Sequence, residues 1–260
     1  MKPYKFTFTE KESKLTIISE LEDAIARAKN AFYSHRKILE EYVVNHEKFL
    51  TSFSPVQTHS EHEIIERMSE AGSVFDVGPM AAVAGALADL MLAAMKYNQL
   101  VKKPPKIALV ENGGEVIIDS EKPMKVALYA GNNQLNFNLG FLIEKKNMPM
   151  GIGTSSATIG HAVSLGEADA VTIFAKNAAY ADAAATKIAN AVKGDNIEKS
   201  IKTALDKVNN YEDIYGAFIS RGDQVGQVGK VPKLIKLTQT PQKNLTDEEL
   251  MDKVNNKIIE

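Results

Sequence analysis

The chain has 260 residues, 44% hydrophobic and 25% charged, which excludes bulk disorder and suits one domain with a sizeable core. Lys and Arg total 31 against 33 Asp and Glu, a net charge of −2, so no basic field draws nucleic acid or an anionic membrane. A phosphate-bearing ligand must therefore be met locally. The absence of cysteine excludes disulfides, thiolate nucleophiles, Fe–S clusters and Cys-ligated zinc.

The first residues alternate, with Tyr4, Phe6 and Phe8 followed by Leu15, Ile17 and Ile18, a pattern that predicts a two-stranded hairpin. Helical periodicity takes over across residues 20–50, where Leu21, Ile25, Ala28, Phe32, Leu39 and Phe49 share a stripe. A polar break at 51–62 leads to a short helix through Ile64, Ile65 and Met68. Residues 75–80 read as a loop into a second helix, with Gly78 conformationally free and Pro79 at the first helical position. That helix, 80–96, carries Ala81, Ala84, Gly85 and Ala88 at helical spacing, so a neighbouring backbone can come very close; Lys96 near its end is expected to be a silent position. It is too short and small-sided to span a bilayer comfortably, and residues 1–8 hold no apolar signal core, so the expected location is cytoplasmic.

Strands at 106–110 and 115–118 flank the hairpin turn Asn112-Gly113-Gly114. Strands at 125–130 and 137–143 are expected to continue the same sheet, and 170–175 is a buried strand. Helices follow at 178–192 and 197–208, then a terminal strand pair, 215–219 with 234–237, around a Gly-rich turn. Thr246-Asp247-Glu248-Glu249 has capping-box form. The pattern predicts an α+β fold, mainly antiparallel sheets packed with Ala-rich helices, as a single domain over 1–240 with a C-terminal helical extension at 241–260.

Candidate chemistry is sparse. No dinucleotide or P-loop glycine spacing occurs, and His59 and His62 read as solvated loop residues. Residues 151–156 join glycines to Thr154, Ser155 and Ser156, either a backbone-and-hydroxyl wrap for phosphate or a plain strand-entry loop. His161 could protonate a leaving oxygen or serve structure alone. Asp182 and Thr186, four apart, share a helix face; they suit Mg²⁺, or Asp182 merely steadies its own helix start.

Taken in order, the segments Phe75–Ala82, Asn112-Gly113-Gly114-Glu115, Thr154-Ser155-Ser156 with His161, and Ala181-Asp182-Ala183-Ala184-Ala185-Thr186 resemble the ApbE-like superfamily of FAD:protein FMN transferases. Their wording is most similar to an uncharacterised protein family (UPF) subfamily beside ApbE. Ala82 stands where the family has lysine, and Pro79 where it has glycine. The resemblance implies FAD and Mg²⁺ as cofactors, a protein acceptor for FMN, and release of AMP. It implies catalytic roles for His161 and Asp182, and metal ligation by Asp182, Thr186 and the Ala81 carbonyl. Gly78, Asn112, Gly113, Gly114, Thr154, Ser155 and Ser156 would line the flavin nucleotide. A nucleotide-binding module without turnover, or an assembly subunit, is the alternative reading. The antiparallel sheet edge and Ala-rich helices make a homodimer the expected assembly.

Overall fold

In the computed structural model, residues 2–97, 103–156 and 166–237 are described here. The predicted hairpin is β1 (Tyr4–Glu10) and β2 (Ser13–Ser19), closed by a two-residue turn in which Lys11 takes a φ of 51°. Residues 20–50 split into α1 (Glu22–Asn45) and α2 (Glu47–Thr51), because His46 leaves helical geometry at φ −132°. Ala24, Ile25, Ala28, Phe32 and Leu39 bury one stripe of α1. Arg36 is buried on the same stripe, tied to Glu12, Ser13 and Glu40. The short helix is longer than its periodicity suggests, α3 (Glu63–Phe75), and ends at Asp76 in left-handed geometry.

Pro79 opens a 3-10 turn, Pro79–Ala82, and the α-helix proper is α4 (Val83–Lys96). Residues Pro79–Lys96 are apolar and long enough for a membrane span by length and composition, but α4 is mostly buried against α1, α5 (Ala178–Ala189) and the sheet. It is a core helix.

The main sheet joins β1 and β2 to β3 (Ile107–Asn112), β4 (Glu115–Ser120), β7 (Met150–Ser155), β8 (Ala170–Ala175), β9 (Ile214–Arg221) and β10 (Gln224–Gly229), in that spatial order and antiparallel throughout. β3 and β8 are buried along their whole length because both faces of this sheet are covered. On one face lie α1, α3, α4, α5 and α6 (Ile197–Val208). On the other lies a second sheet of β5 (Met124–Ala127), β6 (Leu139–Ile143) and β11 (Lys233–Lys236).

Three expectations fail here. The strands near 125–130 and 137–143 leave the main sheet and build the second one, their apolar residues facing Phe174 and Phe218. The terminal pair also differs: β9 pairs with β10, while β11 crosses over to pair with β6. Local periodicity marks strands but carries no information on which sheet receives them. Finally, 151–155 is no loop; it is β7, laddered between β4 and β8. Its glycines serve packing. A Cβ on Gly151 would lie 2.0 Å from the Asn177 carbonyl, and one on Gly153 would lie 2.5 Å from Ala181. The C-terminal extension at 241–260 lies outside the described residues.

Candidate functional site

α4 and α5 cross within the hydrophobic core on the helical face of the sheet. A Cβ on Gly85 would sit 2.2 Å from the Ala178 carbonyl oxygen, so the two backbones touch there. Each helix then supplies a carboxylate to the other's N-terminus. Asp89 of α4 accepts from the N–H groups of Ala178 at 2.8 Å and Ala179 at 3.0 Å. Asn177 takes the Tyr180 N–H at 2.8 Å, which accounts for the free amides of the first turn of α5. In return, Asp182 of α5 accepts from Gly85 N–H at 3.0 Å and from Ala84 N–H. α4 has no side-chain cap of its own, and Asp182 fills that position from across the interface.

Around this crossing gather further carboxyl groups. Glu115, at the start of β4, is buried and accepts from the N–H of Thr154. Burial, and then the charge of Asp182, push its carboxyl well above the ordinary carboxylate range. Asp182 is raised as well, by burial first and opposed by the Gly85 and Ala84 amides, with the Asp89 charge adding to the rise. Asp89 is pushed up to about 6 by burial, against the two amides it holds. Glu111 is buried on the opposite face of the turn and reaches about 7, again chiefly by burial. One of its oxygens accepts from Gly114 N–H at 3.0 Å; the other has no hydrogen-bond partner.

The structure brings most of the sequence-derived residues to this region but alters their roles. Gly113 and Gly114 have φ of 67° and 117°, which only glycine adopts easily. Their N–H groups are already spent, on the Lys14 carbonyl at 2.9 Å and on Glu111. Asn112 is buried, its amide donating to the Ala84 carbonyl at 3.1 Å. Gly78 is small because a Cβ there would meet the Ser52 carbonyl at 1.8 Å. Thr154 pairs its hydroxyl with that of Thr172 at 3.1 Å and faces the second sheet, whereas Ser155 faces the helices. Ser156 is buried beyond the strand end. Thr186 lies one turn past Asp182, half-buried, and Ala81 sits in the 3-10 turn packed against α5. His161 lies outside the described residues. Asp182 therefore caps the neighbouring helix, not its own.

Sequence reasoning missed Asp89, Glu111 and Glu115 as site residues. The available signals were a lone carboxylate in an otherwise apolar helix and the symmetric Glu-Asn-Gly-Gly-Glu of the turn. Asp182 and Glu115 offer oxygen donors of the kind a hard divalent cation takes, but no group of three or more His, Asp or Glu gathers into a metal site among the described residues. The two carboxyls are close enough for the charge of one to raise the other, and no Lys or Arg ion-pairs with either among the described residues.

The family model described as AbpE bacteria (AbpE_bact) matches residues 1–231. The UPF0280 protein MMP1236 of Methanococcus maripaludis strain S2 is 41% identical over 239 residues, covering 91% of this chain and 94% of that protein. The UPF0280 protein MJ1526 of Methanocaldococcus jannaschii is 38% identical over 245 residues, covering 93% and 96%. The apo crystal structure of Pseudomonas stutzeri flavinyl transferase ApbE superposes with a TM-score of 0.52 at 15% identity, covering 87% of this chain and 94% of that one, a likeness of fold. The chain belongs to the AbpE_bact family, an ApbE-like member in the UPF0280 branch.

Proposed function

We propose that the chain binds a flavin nucleotide, FAD, together with Mg²⁺, where the start of α4, the Asp182 turn of α5, the 112–115 turn and the end of β7 converge. The supporting observation is the pair Asp182, half-buried, and Glu115, buried, in which the Asp182 charge pushes the Glu115 carboxyl up and no basic side chain ion-pairs with either among the described residues. Bound there, the cation would neutralise pyrophosphate and leaving-group charge. Asp182 and Glu115 would hold it, with the Thr186 hydroxyl and Ala81 carbonyl as the further donors the resemblance suggests. Ser155 and Ser156 would donate hydroxyls to phosphate oxygens at the C-terminal end of β7.

The reaction this reading implies is transfer of FMN to a protein Ser or Thr. The acceptor oxygen bonds to the FMN phosphorus, the bond from that phosphorus to the AMP phosphate breaks, and the hydroxyl proton leaves by way of His161 to the departing AMP. A second reading, binding without turnover, draws on two observations. The Gly113 and Gly114 amides are already bonded internally, and Ala82 stands where the family carries lysine.

Titration with FAD, FMN and AMP, with and without Mg²⁺, followed by flavin fluorescence and AMP release, separates these readings. We expect Mg²⁺-dependent FAD binding that Asp182→Asn abolishes, and a thermal midpoint that Mg²⁺ raises in the parent but not in that variant. AMP release supports transfer, and binding without AMP supports the second reading. Absence of flavin binding under every condition overturns both.

A further inference from the structure

β1 is an unguarded edge. Among the described residues it bonds only to β2, in an unbroken register from Tyr4↔Ser19 to Glu10↔Ser13. Natural edge strands are usually short, bulged, charged or interrupted by proline. β1 has seven residues and no bulge, with no proline inside it, and Lys5 and Glu10 are its sole charges. It displays aromatic surface instead: Tyr4 is 44% and Phe6 36% exposed, and Tyr33 of α1, 41% exposed, lies 6.0 Å from the Phe8 ring. Lys29 lies over the Phe6 and Phe8 rings at 5.1 and 5.6 Å, on the same side of the strand.

The direction of the free backbone groups follows from the hairpin. A two-residue turn at Lys11 and Glu12 makes Glu10 and Ser13 a hydrogen-bonded pair, and such pairs alternate along an antiparallel ladder. Tyr4, Phe6, Phe8 and Glu10 therefore spend their backbone groups on β2, and Lys5, Thr7 and Thr9 point theirs outward.

We infer that β1 is a dimerisation edge, and that its occupant is the β1 strand of a second copy, added antiparallel about a two-fold axis at Thr7. An axis perpendicular to the sheet keeps side-chain faces matched, so residues of equal parity must face each other. Centring on Thr7 sets Thr7 opposite the partner's Thr7 and Lys5 opposite the partner's Thr9, which satisfies every outward amide of the strand. Pro3, which has no N–H, falls just beyond the paired length. In the closer, non-hydrogen-bonded positions, Phe6 then meets the partner's Phe8, and Glu10 meets the partner's Tyr4 with the partner's Lys2 on the diagonal. The aromatic rows interlock and opposite charges meet at each end. This dimer does not depend on the flavin reading.

The test uses the full chain and its lack of cysteine. Sedimentation or light scattering of the parent should give twice the chain mass. Thr7→Pro removes an outward N–H that the protomer does not use, so it should yield a folded monomer by circular dichroism. Thr7→Cys places the single thiols across the axis, and oxidation or a short bis-maleimide should link them. Thr9→Cys, facing the partner's Lys5, should stay unlinked. A parent that remains monomeric at all concentrations overturns the proposal. So does a dimer in which Thr7→Cys never links, and that readout stands even if Thr7→Pro fails to fold.

Discussion

Asp89 shows how much one side chain can carry. Its two oxygens hold the first two amides of α5, in surroundings that leave those amides no solvent. Asp89→Ala is expected to cost about 2–4 kcal/mol, because a charged acceptor is lost and buried donors are left unpaired. Asp89→Asn, which keeps one acceptor, should cost roughly half; urea melts rank them, and equal midpoints for Asp89→Ala and the parent would rule the cap out. Glu111 makes a pH prediction. Its carboxyl titrates at about 7 in the fold, above the ordinary 4.5, so the folded state keeps a proton that the unfolded chain releases. Its stabilising contribution is complete below about pH 4.5 and is lost as pH rises toward 7. Glu111→Gln, neutral throughout, should match the parent near about pH 4 and exceed it by about 1–3 kcal/mol at about pH 8. A difference that is the same at both pH values would contradict this account.

Helix crossing and strand packing set the element scale. Gly85 is the contact point of α4 with α5, and even a methyl group there would collide with the Ala178 carbonyl. Gly85→Ala should therefore cost about 3 kcal/mol or more, since the clash is with backbone and no side chain can swing away. The expectation that Lys96 is silent does not hold. Its ammonium lies 2.5 Å from a carboxylate oxygen of Asp119 and 3.2 Å from the Asp119 carbonyl, with both side chains largely covered. Lys96→Ala should cost about 1–2 kcal/mol. Lys37, exposed and 3.8 Å from Glu41, is the better neutral control in the same melts.

At the scale of the whole molecule, the second sheet depends on its own apolar contact with the first. Phe141 of β6 packs edge-on to Phe174 at 4.9 Å and to Phe218 at 5.6 Å. Phe141→Ala should cost about 3–5 kcal/mol. Because the two sheets share no strand, the loss should appear first as faster proteolysis within β5 and β6 and only later as global melting. Cleavage that tracks global unfolding alone would mean that the sheets open together.

Local sequence pattern determined most of the elements, though not β7 or β10, which it read as a loop and a Gly-rich turn. The alternation of Tyr4, Phe6 and Phe8, the α1 stripe, the Gly113-Gly114 turn and the Ala-rich helices all follow from local side-chain spacing, which sets which face can be buried. The density of Ala and Gly also announced close backbone approach, and Gly85 makes it. The neighbours on the other side of each contact were decided by the tertiary fold. Glycines 151 and 153 look the same in a phosphate loop as in a strand pressed against a helix, because in both cases the absent side chain makes room for something else. Asp182 four residues before Thr186 reads as a metal pair or a helix start, and nothing in its own helix foretells that Ala84 and Gly85 bring their amides to it. The raised pKa values of Asp89, Glu111, Glu115 and Asp182 belong to the assembled fold as well. They come from water excluded by residues distant in sequence and from anions that only folding brings together.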